Sequence, residues 1–389
     1  MGGLGHNSYT PIVPMIPILS LLSHSCCSVR GPCDMMLPQV MQPLREPRET
    51  TEVRAAHRFD EAALHRYLSQ HVEGYAGPLH VRQFEGGQSN PTFYLEAGGR
   101  AYVMRKKPPG KLLPSAHAVD REYRVISALR DSGVPVCRAY CLCEDEAVIG
   151  TPFYVMEYVA GRVFREIRLP GMTSGERTAI YDAMNAALAA LHRVDWAAAG
   201  LADYSKPGNY YTRQISRWAR QYEASKTEEI SAMDRLAAWL PEHIPPGDET
   251  SVVHGDFRLE NMIFHATEPR ILAVLDWELS TLGHPLGDLA YNCMPYYSTH
   301  PRMGGLDGFD CAAHGIPTEK EYVDAYCRRT GRAEIVGWPF YMAFSLFRSA
   351  SILQGVYARG LQGNASSENA LTLGAMVKTS AERAWGLVS

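Results

Sequence analysis

Two short stretches of this chain concentrate residues able to do chemistry: His254-Gly255-Asp256-Phe257-Arg258-Leu259-Glu260-Asn261, and then Asp276-Trp277-Glu278. Asp256 and Asn261 lie five apart between two apolar runs, so one tight loop can present both side chains to a single site. Asp276 follows the apolar run 271–275, twenty positions after Asp256, enough chain for a hairpin to bring a second hard oxygen beside Asn261. Phosphoryl transfer needs a carboxylate to accept a hydroxyl proton and oxygen ligands for the magnesium that bridges the phosphates. Asp256 fits the first role, Asn261 and Asp276 the second. Arg258, two residues past the base, is placed to neutralise charge on the transferring group. Asp and Asn also populate turns for local reasons, so the reading depends on the elements around the motif.

Those elements begin at Asp60, an N-cap before Leu64, Tyr67, Leu68 and Val72 on one helical face. Strand-like runs follow at 79–84, 92–97 and 101–106, the last two joined by Gly98-Gly99, a hairpin signal. The segment Gly86-Gly87-Gln88-Ser89-Asn90 joins the first two. Its backbone N–H groups and hydroxyl can cover phosphates, with Gly87, Ser89 and Asn90 as contacts, although it equally fits an ordinary hairpin turn. A helix is expected through Val119, Tyr123, Ile126 and Leu129, stopped by Gly133 and Pro135. Strands at 136–143 and 153–159 complete a lobe of five strands and one helix. From Thr173 the periodicity turns helical, with helices around 180–191, 209–226 and 230–240 and further ones starting near Leu286, Thr318, Trp338 and Ser367. Short strands at 251–254, 262–265 and 271–275 flank the polar motifs. The expected class is α+β: a small antiparallel-sheet N-lobe over residues 56–160 and a helical C-lobe over 161–389, with a nucleotide cleft between them.

The pattern H-x-D-x-x-x-x-N followed by an Asp resembles the catalytic and metal loops of the protein-kinase-like fold. In its HGD and DWE form the chain is similar to the aminoglycoside phosphotransferase (choline kinase-like) family, and within it to the kinase-like segment of acyl-CoA dehydrogenase family members ten and eleven and to stand-alone bacterial phosphotransferases. The resemblance covers both lobes. It implies ATP and Mg2+ as cofactors, Asp256 as base, and Asn261 and Asp276 as metal ligands. The nucleotide cation falls on Arg105, where the family carries lysine, with Lys106 next to it on the opposite face of the strand as the alternative. Glu122 is implied as the helix partner of that cation, and Glu157 and Val159 as backbone contacts to adenine. Asp288, in Gly287-Asp288-Leu289-Ala290, is implied to brace the catalytic loop. His254 and Trp277 read as bracing and packing residues.

The acceptor is expected to be a small molecule bearing a hydroxyl. Tyr296, Tyr297, Trp338, Tyr341, Phe344 and Arg348 are candidates to line its pocket, or else belong to the core. An aminoglycoside is polycationic and calls for an acidic wall, whereas residues 300–335 carry both signs in similar number. A hydroxyacyl-CoA or hydroxy acid is the acceptor that the dehydrogenase-linked relatives imply. A non-catalytic nucleotide-binding module is the alternative function class. A protein kinase is disfavoured, since neither D-F-G nor A-P-E occurs.

The rest of the composition narrows the setting. A length of 389 residues suits two lobes, and 46% apolar with 21% charged residues is ordinary globular composition. A formal charge of −4 disfavours a nucleic-acid partner. Nine cysteines without paired spacing read as reduced thiols of a cytoplasmic protein. The proline-interrupted apolar segment 11–22 fits neither a signal peptide nor a membrane span. Residues 1–55 read as a disordered extension, with Met41 as an alternative start. The oligomeric state is not legible.

Overall fold

In a computed structural model, the structure describes residues 50–85, 90–108, 118–299, 304–363 and 370–389. The sheet lobe comprises β1 (Thr50–Thr51), α1 (Glu61–His71), β2 (Leu79–Phe84), β3 (Thr92–Ala97), β4 (Arg100–Lys106), α2 (Val119–Leu129), β5 (Ala139–Cys143), α3 (Glu146–Ile149) and β6 (Phe153–Glu157). The strands form one six-stranded antiparallel sheet in the order β1-β2-β3-β4-β6-β5. It has one strand more than expected, because Thr50 and Thr51 pair with Phe84 and Gln83. The extension expected to run to residue 55 therefore gives way to ordered chain by Thr50, and residues 1–49 lie outside the described residues. Strands β5 and β6 are also shorter than the runs 136–143 and 153–159.

Alternation along the strands sorts the two faces. Phe93, Leu95, Tyr102, Met104, Phe153 and Val155 pack with Leu64 and Leu68 of α1 on the outer face. Burying such side chains contributes roughly 1.5–3 kcal/mol each, and this layer backs the sheet on the side away from the cleft. Val103, Tyr154 and Met156 point the other way, into the larger core shared with the helical lobe. Gly98 and Gly99 both adopt positive φ in the β3–β4 hairpin, as a tight turn with that hand requires.

The helical lobe contains α4 (Ser174–His192), α5 (Tyr210–Ser225), α6 (Ser231–Glu242), β7 (Ser251–Val253), β8 (Met262–Phe264), β9 (Ile271–Val274), β10 (Thr281–Gly283), α7 (Pro285–Cys293), α8 (Glu319–Thr330), α9 (Trp338–Leu361) and α10 (Gly374–Gly386). Capping boxes at Thr173/Glu176 and Thr318/Glu321 start α4 and α8. The helix start expected at Ser367 falls outside the described residues; α10 begins at Gly374. Two small antiparallel pairs, β8–β9 and β7–β10, frame the polar motifs. The joint between lobes is clamped to β8: Arg162 and Phe264 exchange both backbone hydrogen bonds at 2.8 Å. Gly161 is required there, since a Cβ would sit 2.3 Å from the Phe264 carbonyl oxygen.

Candidate active site

Strand β7 ends at Val253 and releases the loop 254–261, which a short turn of 3-10 helix over Leu259–Asn261 returns to β8. The loop is held mainly by one face of α7, through residues at i, i+3 and i+4. Asp288 accepts the His254 N–H at Oδ2 and the Gly255 N–H, at 2.8 Å, at Oδ1. The Tyr291 hydroxyl donates to Asp256 Oδ1. The Asn292 side-chain amide donates to the Phe257 carbonyl at 3.1 Å. Helix α9 adds Arg348, which donates to the Gly255 carbonyl at 2.8 Å. Four consecutive loop residues are thus fixed from one side. Gly255 has φ +83° and passes so close to Leu279 that a Cβ would lie 2.7 Å from its carbonyl oxygen.

Asp256 also accepts at Oδ2 from Asn261 Nδ2 at 2.9 Å and from Arg258 Nε at 3.2 Å. Asn261 Nδ2 donates to the Asp256 carbonyl as well, at 2.9 Å. With its nitrogen committed, the oxygen of Asn261 is the atom left for a hard cation. The hairpin β8–β9 then brings in Asp276: Leu275 N–H donates to the Asn261 carbonyl at 2.8 Å, and the Leu275 carbonyl lies 2.8 Å from His254 Nε2. Asp276 itself is left-handed, φ 65° and ψ 60°, an uncommon conformation for a residue other than glycine and one often found at functional sites. His254 and Trp277, fully or almost fully buried, pack against each other in a tilted arrangement with ring centroids 4.7 Å apart, so both are framework.

Above these residues the cleft encloses about 500 Å³, lined from the sheet by Val103, Arg105 and Met156, from the joint by Glu157, Val159 and Gly161, and from below by Asn261, Ile263, Val274 and Asp276. Asp256 is one hydrogen bond behind this wall, through Asn261. Arg105 spans the cavity's back. It pairs with Glu122 at 2.8 Å and with Asp276 Oδ1 at 3.1 Å. Burial pulls the guanidinium down, and Glu122, Tyr154 and Asp276 more than restore it, so it is held charged. Its Nε is buried with no hydrogen-bond partner among the described residues. Glu122, wholly buried, also accepts from Asn90 Nδ2 at 2.8 Å and from the Tyr154 hydroxyl at 3.0 Å. Burial pushes its carboxyl up to about 7, with Arg105 opposing.

Most of the expected site residues therefore converge: Asp256, Arg258, Asn261, Asp276, Arg105, Glu122, Glu157 and Val159. Two corrections apply. Lys106 does not join them; it points to the other face of β4, its amine 5.6 Å and 5.9 Å from the ring centroids of Phe59 and Phe93, where burial pushes its pKa below the usual value. Asn90 is buried behind Glu122 and supports that carboxylate instead of lining the cavity. Arg258, one of the converging residues, pairs with Asp256 and also with Glu260, the latter at 2.9 Å. Gly87 and Ser89 lie outside the described residues.

The expected acceptor set is scattered. Phe344 is core, packed on Tyr211 at 5.1 Å. Tyr341 stacks on His284 at 5.7 Å, Tyr296 donates to the Pro317 carbonyl at 2.7 Å, and Tyr297 and Trp338 both donate to Glu319. Arg348 alone among them touches the catalytic loop. Conversely, no motif in the sequence marks Tyr291, although its position three residues after Asp288 puts it on the same helical face.

A carboxylate hydrogen-bonded to an asparagine, just behind the floor of a two-lobed cleft, is the layout of a phosphotransferase-type site on a protein-kinase-like fold. The model of the phosphotransferase enzyme family named APH matches residues 80–341, and the chain belongs to that family. It is 48% identical over 339 residues to mouse acyl-CoA dehydrogenase family member 10, covering 86% of this chain and 32% of the relative. It is 48% identical over 344 residues to chicken acyl-CoA dehydrogenase family member 11, covering 86% and 44% respectively. The chain thus spans between about a third and under half the length of these curated relatives. A crystal structure from Ralstonia eutropha, provisionally assigned as an aminoglycoside phosphotransferase, superposes with TM-score 0.80 at 56% identity, covering 85% of this chain and 98% of that one. The aminoglycoside phosphotransferase APH(4)-Ia, solved with ADP and hygromycin B, shares the fold at TM-score 0.55 and 16% identity, covering 84% and 99%.

Proposed function

We propose that this chain moves the γ-phosphoryl group of ATP to a hydroxyl of a small molecule, with Asp256 as base. The observation that carries the reading is that Asn261 and Asp276 share the floor of a cleft whose back wall holds the charged Arg105, with Asp256 hydrogen-bonded to Asn261 just behind that floor. The residues fit a nucleoside triphosphate: Val103, Met156, Ile263 and Val274 offer an apolar slot for a flat base, the joint residues Glu157 and Val159 offer backbone groups to its edge, and the buried, unpartnered Nε of Arg105 is a donor awaiting an anion. They also fit magnesium carried in by the nucleotide. Among the described residues no cluster of three His, Cys, Asp or Glu side chains forms a metal cage, and magnesium typically takes one or two protein oxygens plus phosphates and water. When bound, the metal would neutralise charge on the phosphates.

In this reading Arg105 orients the phosphates, Asn261 and Asp276 hold the metal, and Asp256 takes the proton of the attacking hydroxyl at a carboxylate oxygen. Arg258, beside Asp256, offsets charge on the transferring group. For the acceptor we favour a hydroxyacyl-CoA or hydroxy acid, because the curated relatives bear acyl-CoA dehydrogenase names. An aminoglycoside kinase is the second acceptor reading, favoured by the fold shared with APH(4)-Ia. The free, buried cysteines among the described residues suit a reducing, cytoplasmic setting, and no described helix is long and apolar enough to cross a membrane.

Labelled ATP, magnesium and a panel of hydroxy compounds, amino sugars included, test the proposal. Wild type should label at least one acceptor, and Asp256→Asn should lower turnover by roughly three orders of magnitude or more with nucleotide affinity nearly unchanged. Nucleotide binding without transfer to any acceptor, indifferent to Asp256→Asn, would instead support a non-catalytic binding module.

A further inference from the structure

We propose that the Tyr291 hydroxyl stands in for the acceptor hydroxyl at Asp256 and thereby keeps water from being phosphorylated; this rests on the phosphotransferase reading above. Both oxygens of the base are engaged within the protein. Oδ2 takes two donors, Asn261 Nδ2 and Arg258 Nε, and Oδ1 takes the Tyr291 O–H. A hydroxyl about to be deprotonated must donate to one of these oxygens. The amide on Oδ2 is tied a second time to the Asp256 carbonyl, so it cannot leave without reshaping the loop. Oδ1 carries a phenol, a donor of the same kind as the incoming hydroxyl. Oδ1 keeps a second lone pair, and the phenol oxygen beside it narrows the approach to that lone pair.

The ring is built to stay. It sits on α7 beside Asp288 and Asn292, both bonded to the loop, and the Arg348 guanidinium lies 5.3 Å from its centroid while bonding Gly255. Burial and then the charge of Asp256 push the phenol's pKa up, so it remains a donor at neutral pH. An acceptor brings binding energy from its whole body to enter beside the phenol and reach the second lone pair of Oδ1; a lone water brings none. Without the phenol, water could donate its proton to Oδ1 while its oxygen bonds the γ-phosphorus and the bond to the bridging oxygen of ADP breaks, giving ADP and inorganic phosphate. Tyr291 is thus a positioning residue that sets the partition between transfer and hydrolysis.

The test is acceptor-independent ATP hydrolysis by Tyr291→Phe, which removes one oxygen and keeps the ring. Hydrolysis should rise about tenfold, the equivalent of one hydrogen bond. The melting shift given by magnesium-ATP should stay at its wild-type size, and adding Asp256→Asn should return hydrolysis to background. Hydrolysis that is unchanged, or that falls in step with transfer as for a merely bracing side chain, overturns the proposal. A wild type that neither binds nor consumes ATP overturns the phosphotransferase reading instead.

Discussion

Replacing Asp288 by alanine removes both acceptors that organise the start of the catalytic loop. Asp288 is 3% exposed and His254 0%, so the backbone N–H groups of His254 and Gly255 would lose their carboxylate where water has no ready access. Hydrogen bonds to a charged group contribute about 1.5–3 kcal/mol each, so two lost bonds cost roughly 3–6 kcal/mol before relaxation. Part of that is recovered, because the variant no longer buries a carboxylate. Burial pushes Asp288 up, yet His192, His254 and the Gly255 N–H together hold it below the ordinary carboxylate value, so the charge is well compensated and the recovery small. A net loss of about 3 kcal/mol is expected. Asparagine should rescue poorly: it offers one oxygen for two N–H groups and sets its own NH2 against the other. Urea denaturation measures the stability, and turnover measures the loop, which should slow at least tenfold as Asp256 loses its placement. A loss under about 1 kcal/mol with full turnover would refute the assignment of Asp288 as the brace.

Two further outcomes follow from the same geometry. His284 caps α7 while buried, and burial lowers its pKa from 6.5 to about 4 despite Glu249 nearby; the unfolded chain therefore binds the proton first, and stability should fall as pH drops from 6.5 toward 4, a slope that His284→Asn, which keeps a capping side chain, flattens in pH-dependent denaturation. Gly255→Ala should cost about 2 kcal/mol or more and abolish transfer, because positive φ and the nearby Leu279 carbonyl both exclude a Cβ; a melting temperature equal to wild type would contradict this.

The grouping of the candidate residues was legible where it is written contiguously. Asp256, Asn261 and Asp276 sit on loops whose lengths leave little freedom, and the flanking apolar runs announce β7, β8 and β9. Arg105 and Lys106 could be told apart in the structure because strand alternation sends neighbours to opposite faces, one into the cleft and one against Phe59 and Phe93. Partners distant in sequence were harder to see. Tyr291 reads as one more aromatic on an amphipathic helix, and only the packing of α7 on the loop gives its hydroxyl a role. The acceptor residues misled for the same reason, since Tyr341 and Phe344 recur at helical spacing because they fill the core. Strand β1, two threonines long, carries no pattern of its own and exists through its pairing with β2.

The most direct measurement is the melting temperature with ATP, with and without magnesium, in wild type and Asp276→Ala. Wild type should gain a few degrees at saturating nucleotide only when magnesium is present, and the variant should lose that metal-dependent part. Equal shifts with and without the metal, or a variant indistinguishable from wild type, would contradict a magnesium-nucleotide site built from Asn261 and Asp276.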